Sequence, residues 1–288
     1  MIKNVGFVGL GTVGKHMAIN LMGGNYNLTV YDKKPEAVAE LVKRGAKGAS
    51  SALEAAKGQD MVIIILPEKE ELEAALSTED GLFAGIDPGT ILVDMGTHSL
   101  ETTLELAEEA TKKRILFVEA PVWGTKEHAA NGLLTVLAGG DQTLISRCRE
   151  LFSFFALNII HVGEVGNATR MKYVVNLIQG QLVEGLAEAL VFGEKLGFTA
   201  DRILEVLDSG GVASPLLHSK GRRISRGDFS RNLALKYVLE GLQTAKELAD
   251  ENGLDLPVND AVIKVYEQAV ADGRGEEDFS AVIKVLRR

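Results

Sequence analysis

One cysteine, one tryptophan and six prolines are all that 288 residues contain of these types, and each scarcity narrows the field. The lone Cys148 rules out an internal disulfide, which predicts a reducing, cytoplasmic setting. It has no partner base nearby in sequence, so no catalytic role is expected of it. No Pro-, Ser- or Gln-rich tract suggests disorder. No run approaches the roughly 18 uninterrupted apolar residues of a membrane span; the longest, 61–67, has the length of a buried strand, so no membrane partner is expected. The opening MIKNVGFVGLG is broken by glycine and has no small-residue cleavage pattern, which predicts no secretory signal. Basic charge is also short, 31 Lys and Arg against 40 Asp and Glu, which argues against nucleic acid. A local exception, Lys220, Arg222, Arg223 and Arg226, reads either as a solvated helix end or loop or as a patch facing an acidic ligand. The five histidines lack metal-ligand spacing and are expected to be structural or exposed, with His98 alone adjacent to a motif.

What is present is an ordinary globular composition, 46% hydrophobic and 25% charged, long enough for one large or two ordinary domains. The first half alternates β-branched runs at 5–8, 28–31, 61–66, 91–93, 115–118, 135–138 and 159–162 with helical patterns such as 16–22, 35–43 and 101–111. That alternation predicts an α/β, Rossmann-type, doubly wound and mostly parallel sheet over 1–163. The strand signal then stops. Helical spacing continues without proline from 167 to 196 and returns at 232–251, 258–271 and 280–286, predicting an all-α domain over 164–288 joined through one long helix.

Directly after the first strand stands Gly9-Leu10-Gly11-Thr12-Val13-Gly14, opening a helix. A lone glycine pattern of this kind is a common turn, but its place between a predicted strand and helix at the start of a βαβ unit gives each glycine a task. The first makes the tight turn, the second lets the backbone approach a pyrophosphate, and the third lets helix and strand pack. About twenty residues on, the second strand ends in Tyr31-Asp32, where a carboxylate can accept both ribose hydroxyls of NAD and repel the 2′-phosphate of NADP. Lys33 and Lys34 leave NADP open as a second cofactor, and a plain strand-end turn is the alternative role for Asp32.

Further on, Lys172 and Asn176 are four residues apart and share a helix face with small and apolar neighbours rather than a charged stripe. A lysine near a helix start is usually solvated. Here the chemistry favours function: hydride transfer to a carbonyl needs a proton donor for the developing alkoxide, and a partly desolvated lysine can give that proton and take it back. Asn176 can hold the substrate hydroxyl through its amide.

With these motifs in order, the chain resembles the β-hydroxyacid dehydrogenase family. The likeness runs nearly end to end: GLGTVGKHMAINLMGG (9–24), DMGTHS (94–99), EAPVWGTKEHAANGLLTVLAGG (119–140), the Lys172 helix, LALKYVLEGLQTAKELADENGLDLP (233–257) and GRGEEDFSAV (273–282). The resemblance implies Lys172 as catalytic lysine and Asn176 as substrate-binding asparagine. It also implies that Leu66 and Pro67 line the cofactor, that Thr97 sits beside the nicotinamide, and that Lys236 lies near the nicotinamide end. The segment GNATRMK before Val174-Val175-Asn176 looks like the glyoxylate/succinic semialdehyde reductase branch, which usually carries Asn-Arg with NADP where this chain has Asp32-Lys33. Gly96 stands where a serine is common, Trp123-Gly124-Thr125 stands where Ser-Gly-Gly or Ser-Gly-Ser grips the substrate carboxylate, and Tyr237 replaces an aspartate.

These departures leave the hydride machinery intact and rebuild the acid-binding wall. Trp123 reads as a pocket wall or as a large core residue. The rival enzyme is an imine reductase or a dehydrogenase for a non-carboxylate hydroxy compound, against which Lys172 speaks; the rival outside enzymes is a non-catalytic cofactor-binding scaffold. The helix over 167–196 would span about 45 Å. Its apolar positions, Leu177, Leu182, Leu186, Leu190 and Phe192 among them, spread over more than one face, which predicts a homodimer or homotetramer.

Overall fold

The computed structural model describes residues 2–287 apart from Pro67, Glu68 and Thr78. The chain forms two compact units, Met1–Lys172 and Tyr173–Arg288. The first runs β1 (Asn4–Val8), α1 (Gly14–Leu21), β2 (Asn27–Tyr31), α2 (Pro35–Val42), β3 (Lys47–Gly48), α3 (Ala52–Ala56), β4 (Met61–Ile64), α4 (Lys69–Ser77), α5 (Leu82–Gly85) and β5 (Ile91–Asp94). It continues through α6 (Leu100–Lys112), β6 (Leu116–Glu119), β7 (Val122–Trp123), α7 (Lys126–Ala130), β8 (Leu134–Gly139), α8 (Gln142–Phe152) and β9 (Ala156–Gly163) to the first turns of α9 (Asn167–Lys195). The second unit takes the rest of α9 and then α10 (Ala200–Asp208), α11 (Pro215–Ser225), α12 (Leu235–Glu251), α13 (Pro257–Ala271), a 3-10 turn at Phe279–Val282 and α14 (Ile283–Leu286).

Among the described residues the sheet has nine strands in the order β3-β2-β1-β4-β5-β6-β8-β7, with β9 beside β8. β3 through β6 are parallel, as a doubly wound sheet requires; β8 runs antiparallel to β6 and to β7, and β9 parallels β8. Successive side chains of a strand leave on opposite faces, so the unbroken apolar runs supply two cores. Val5, Phe7, Met61, Ile63, Ile91 and Val93 pack on one face. Val8, Val62, Ile64 and Leu92 pack on the other. Burial on both faces is why these strands read as continuous hydrophobic runs rather than alternating ones. The chain reverses its winding between β1 and β4, and in such sheets ligands bind beyond the carboxyl ends of the strands at that switch.

Several elements differ from the sequence expectation. β3 and β7 have two residues each, too short for any periodicity to register. The fourth strand ends at Ile64 rather than 66. Helices α10 and α11 went unpredicted, although each carries a legible start: Thr199 and Ser214 cap them by accepting from the Arg202 and Leu217 N–H groups. The expected helix 280–286 opens as the 3-10 turn.

The basic cluster also needs correcting. Lys220 is neither solvated nor aimed at a ligand: it is 3% exposed. Its ammonium donates to both carboxylate oxygens of Asp278 at 2.9 and 2.8 Å and lies 4.3 Å from the Phe279 ring centre. The pair sits in the core of the second unit, where a cation persists only with a partner. Arg223 bonds Asp228 and the Ser230 segment, and Arg222 lies 3.9 Å from Asp208. Cys148 is buried, donates to the Leu144 carbonyl, and has its thiol pushed up to about 12 by burial, which suits an inert core residue.

Candidate active site

The glycine loop can be tested residue by residue for the fit of a dinucleotide. Gly9 has φ +99°, and a Cβ there would stand 2.3 Å from the Ile65 carbonyl oxygen. A Cβ on Gly14 would stand 2.2 Å from the Gly9 oxygen. These two glycines therefore answer to the protein's own packing. Gly11 differs: an added Cβ would meet nothing within 4 Å. The space over Gly11 lies at the mouth of α1, whose N-cap residue Val13 supplies no side-chain oxygen and whose first turn carries no acid. Backbone close enough for a pyrophosphate, beside a helix end of positive character, is what the cofactor needs. Thr12 is exposed on the same loop.

Asp32 follows β2 and closes this loop from the other side. Its carboxylate accepts from the Leu10 N–H at 2.6 Å and the Lys34 N–H at 2.8 Å. Tyr31, Asp32, Lys33, Pro35, Val38, Ala49 and Ser50 line a cleft of about 250 Å³, placed where the ribose end of a dinucleotide lies in this fold. Lys33 is paired with Glu71 of α4.

Loops from β4 and β5 meet the glycine loop at the strand ends. Leu66 is half-buried, its side chain 3.1 Å from a Cβ built on Gly9 and its carbonyl 2.9 Å from one built on Gly96; Pro67 lies outside the described residues. Thr97 is exposed in the loop after β5. Gly96 has a clear reason to lack a side chain, since its Cβ would fall 2.2 Å from His98 Nε2. The buried His98 ring fills the space a serine would take, and Asp94 Oδ1 holds both the Gly96 N–H (3.0 Å) and His98 Nε2 (3.3 Å). Gly96 and His98 therefore fit each other. Three of the other four histidines serve local bonding: His128 in a helix cap, His161 between the Gly140 and Gly163 carbonyls, His218 on Asp208. His16 Nε2 is buried with no hydrogen-bond partner among the described residues. Among the described residues no three metal-ligating side chains cluster.

Lys172 is 8% exposed. Its Nζ donates to the Val122 carbonyl at 2.7 Å, and burial alone lowers its pKa to about 8. A lysine so placed keeps both protonation states within reach near neutrality. The acceptor is the residue before Trp123, so the ammonium sits at the base of the 123–125 wall. Trp123 itself is 46% exposed on β7, opposite Thr135, and exposure on this scale removes the core alternative. Gly124 has φ +147°, where a Cβ would meet Leu134 at 2.7 Å. Thr125 spends its polar groups within the chain: its N–H donates to His128 Nδ1 at 3.1 Å, its Oγ lies 3.0 Å from that nitrogen, and together they form the cap of α7. Sequence reading missed this cap because its third position holds His rather than the usual Glu or Gln.

In the second unit, Asn176 follows Lys172 by one turn of α9 and packs on Gly241 of α12, where any Cβ would stand 2.8 Å from its Nδ2. Lys236 bonds Glu276 at 2.8 Å and lies over the Tyr237 ring at 4.8 Å. Glu276 lies inside the terminal GRGEEDFSAV segment.

Residues 4–163 match the family described as the NAD binding domain of 6-phosphogluconate dehydrogenase, and residues 166–286 match the one described as NAD-binding of NADP-dependent 3-hydroxyisobutyrate dehydrogenase. The chain is 33% identical over 283 residues to glyoxylate/succinic semialdehyde reductase 1 of Arabidopsis thaliana, covering 98% of each. It is equally 33% identical to 2-(hydroxymethyl)glutarate dehydrogenase of Eubacterium barkeri, covering 98% of this chain and 94% of that one. The crystal structure of 3-hydroxyisobutyrate dehydrogenase from Salmonella typhimurium matches with a TM-score of 0.90 at 26% identity, over 98% of this chain and 99% of the other.

Proposed function

This chain belongs to the β-hydroxyacid dehydrogenase family, and from that premise we propose that it transfers a hydride between NAD(H) and a small hydroxy acid/semialdehyde pair. The observation that carries the reading is the buried Lys172 ammonium, held on the Val122 carbonyl beside an exposed wall. When bound, the nicotinamide supplies or accepts the hydride. The Gly11 backbone and the start of α1 hold the pyrophosphate, Asp32 holds the ribose, and Leu66, Thr97 and Lys236 serve the nicotinamide end. Lys172 Nζ gives its proton to the developing alkoxide oxygen in reduction and, once neutral, removes the hydroxyl proton in oxidation. Asn176 orients that hydroxyl.

Substrate choice rests on Trp123. Its indole N–H donates but cannot accept, and its ring takes the room a branched substrate needs, so a two- to four-carbon, weakly branched acid fits best. With Thr125 committed to the α7 cap, the Gly124 backbone is left as a donor for the carboxylate. The test is kcat/KM for glyoxylate, succinic semialdehyde and methylmalonate semialdehyde, with NADH and NADPH, in the parent and in Trp123→Ser. The parent should prefer NADH and the unbranched acids, and the substitution should move the ratio towards the branched acid by about 1–3 kcal/mol. Parent preference for the branched acid, or unchanged ratios, would remove Trp123 from the site. Tighter binding of NADPH than NADH would overturn the role of Asp32.

We also propose that the enzyme works as a homodimer or homotetramer assembled on α9. The inward face of this helix, with Val183, Leu186, Ala187 and Leu190, is buried in the second core. A second stripe, Met171, Val174, Ile178, Leu182 and Phe192, is exposed along one side. Both faces being apolar gives α9 a mean hydropathy of 1.2 over 18 residues, enough by length and composition to cross a membrane. A second copy is the better cover, because the opposite face already packs in a helical core and symmetric pairing buries such stripes. Light scattering at micromolar concentration should give two or four chain masses; a single mass, or recovery in the membrane fraction, would refute the assembly.

A further inference from the structure

Glu119 ends β6, is 1% exposed, and belongs to none of the roles assigned above. Its Oε2 accepts from the Gly166 N–H at 2.6 Å and the Ala168 N–H at 3.3 Å. Its Oε1 accepts from the Thr169 N–H at 2.6 Å and the Thr169 hydroxyl at 2.5 Å. The carboxylate thus takes the Ala168 and Thr169 N–H groups that the first turn of α9 leaves without helical partners, together with the Gly166 N–H just before it. Its charge lies against the positive end of a 29-residue helix. Room for it is reserved: a Cβ on Gly139, its partner across β8, would stand 2.4 Å from Oε2. Thr169 is also 3.2 Å from the Thr103 hydroxyl of α6.

The position of this cap along the chain gives it more than a stabilising task. Three residues after Glu119, Val122 offers the carbonyl that receives Lys172 Nζ, and the next three residues are the substrate wall. The strand end carrying the wall and the helix carrying the lysine are therefore tied twice, once through Glu119 and once through Lys172 itself. The ammonium has three N–H donors, so one can turn to an alkoxide while another stays on Val122. That bond weakens as the proton leaves, whereas the Glu119 tie takes no part in the transfer and keeps helix and wall in register.

We propose that Glu119 is a positioning residue of the reaction, fixing where Lys172 Nζ stands relative to the Trp123–Thr125 wall. The inference rests on the reading of Lys172 as the proton-transfer residue. A misplacement on the order of 1 Å at a reacting group costs far more rate than affinity, so the signature is a split between kcat and KM together with a change in the titration of Lys172.

The variants are Glu119→Gln, which keeps the shape but turns an NH2 group towards two of the four donors, and Thr169→Val, which removes one hydroxyl. In Glu119→Gln, kcat should fall by about tenfold or more with KM for NADH within about twofold. The pH at which oxidation sets in should rise from near 8 towards the ordinary lysine range, as looser packing admits water to Nζ. Thr169→Val should move both readouts the same way by a smaller amount, and it decides the matter if Glu119→Gln does not fold. Parent-like kcat and an unmoved pH onset in a folded variant would overturn the inference, as would a loss confined to melting temperature. Lys172→Ala runs alongside: full turnover there would refute the reading beneath, whereas loss there with a silent Glu119→Gln refutes only the positioning role.

Discussion

Lys172→Ala should lose turnover by on the order of 10²- to 10⁴-fold, the range for removal of one positioned proton-transfer group, while the dissociation constant for NADH stays near its parent value. The separation follows from geometry. Lys172 bonds the Val122 carbonyl, whereas the pyrophosphate and ribose contacts proposed for the cofactor belong to the Gly11 loop and to Asp32, whose own hydrogen bonds run to Leu10 and Lys34. The parent pH dependence should carry the same residue's mark. With a pKa of about 8, reduction needs the protonated amine and should decline above that pH. Oxidation needs the neutral amine and should decline below it. Lys172→Arg sharpens the test, because a guanidinium stays charged across the accessible range and cannot act as the base, so oxidation should be lost. Stopped-flow turnover with NADH fluorescence titration measures both quantities, and near-normal turnover in Lys172→Ala would eliminate the mechanism.

Gly14→Ala and Gly11→Ala should both abolish tight NADH binding, yet only the first should damage the protein without cofactor. At Gly14 the new methyl would stand 2.2 Å from the Gly9 oxygen and 2.7 Å from an Ile65 methyl. Backbone oxygen cannot step aside, so α1 must move away from β1. Overpacking of this kind costs about 1–3 kcal/mol, a visible drop in melting temperature. At Gly11 the methyl meets nothing within 4 Å, so melting of the cofactor-free protein should not change. The methyl then fills the space over the loop that a pyrophosphate would need, and NADH affinity should fall by about two orders of magnitude or more. Calorimetric melting together with isothermal titration separates the two. Parent-like NADH affinity in Gly11→Ala would remove the dinucleotide from this loop; equal melting losses in both would show that the loop is merely structural.

Much of this was legible in the residues alone, and the reason is local. A glycine loop between a strand and a helix, a carboxylate at the next strand end, and a lysine and asparagine four apart are all patterns within a few turns of backbone, where spacing determines direction. The doubly wound order follows in the same way, since parallel strands need helical crossovers. Trp123 could be left as core or wall because one sequence position carries no exposure; its place on a two-residue strand made it a surface residue. Lys220 looked solvated because its partner Asp278 comes 58 residues later. Gly96 looked like a missing serine, but the His98 ring occupies the space, and the Thr125 hydroxyl is held by His128. Glu119, silent in sequence, acquired a task only when the chain brought Gly166 to Thr169 onto its carboxylate. Helices, turns and the cofactor loop were set by neighbours along the chain, whose contacts the order of residues already implies. Which polar groups are spare, which are spoken for, and how far Lys172 is desolvated depend on contacts between distant segments, and those exist only once the sheet has assembled and the first turns of α9 have been drawn onto it.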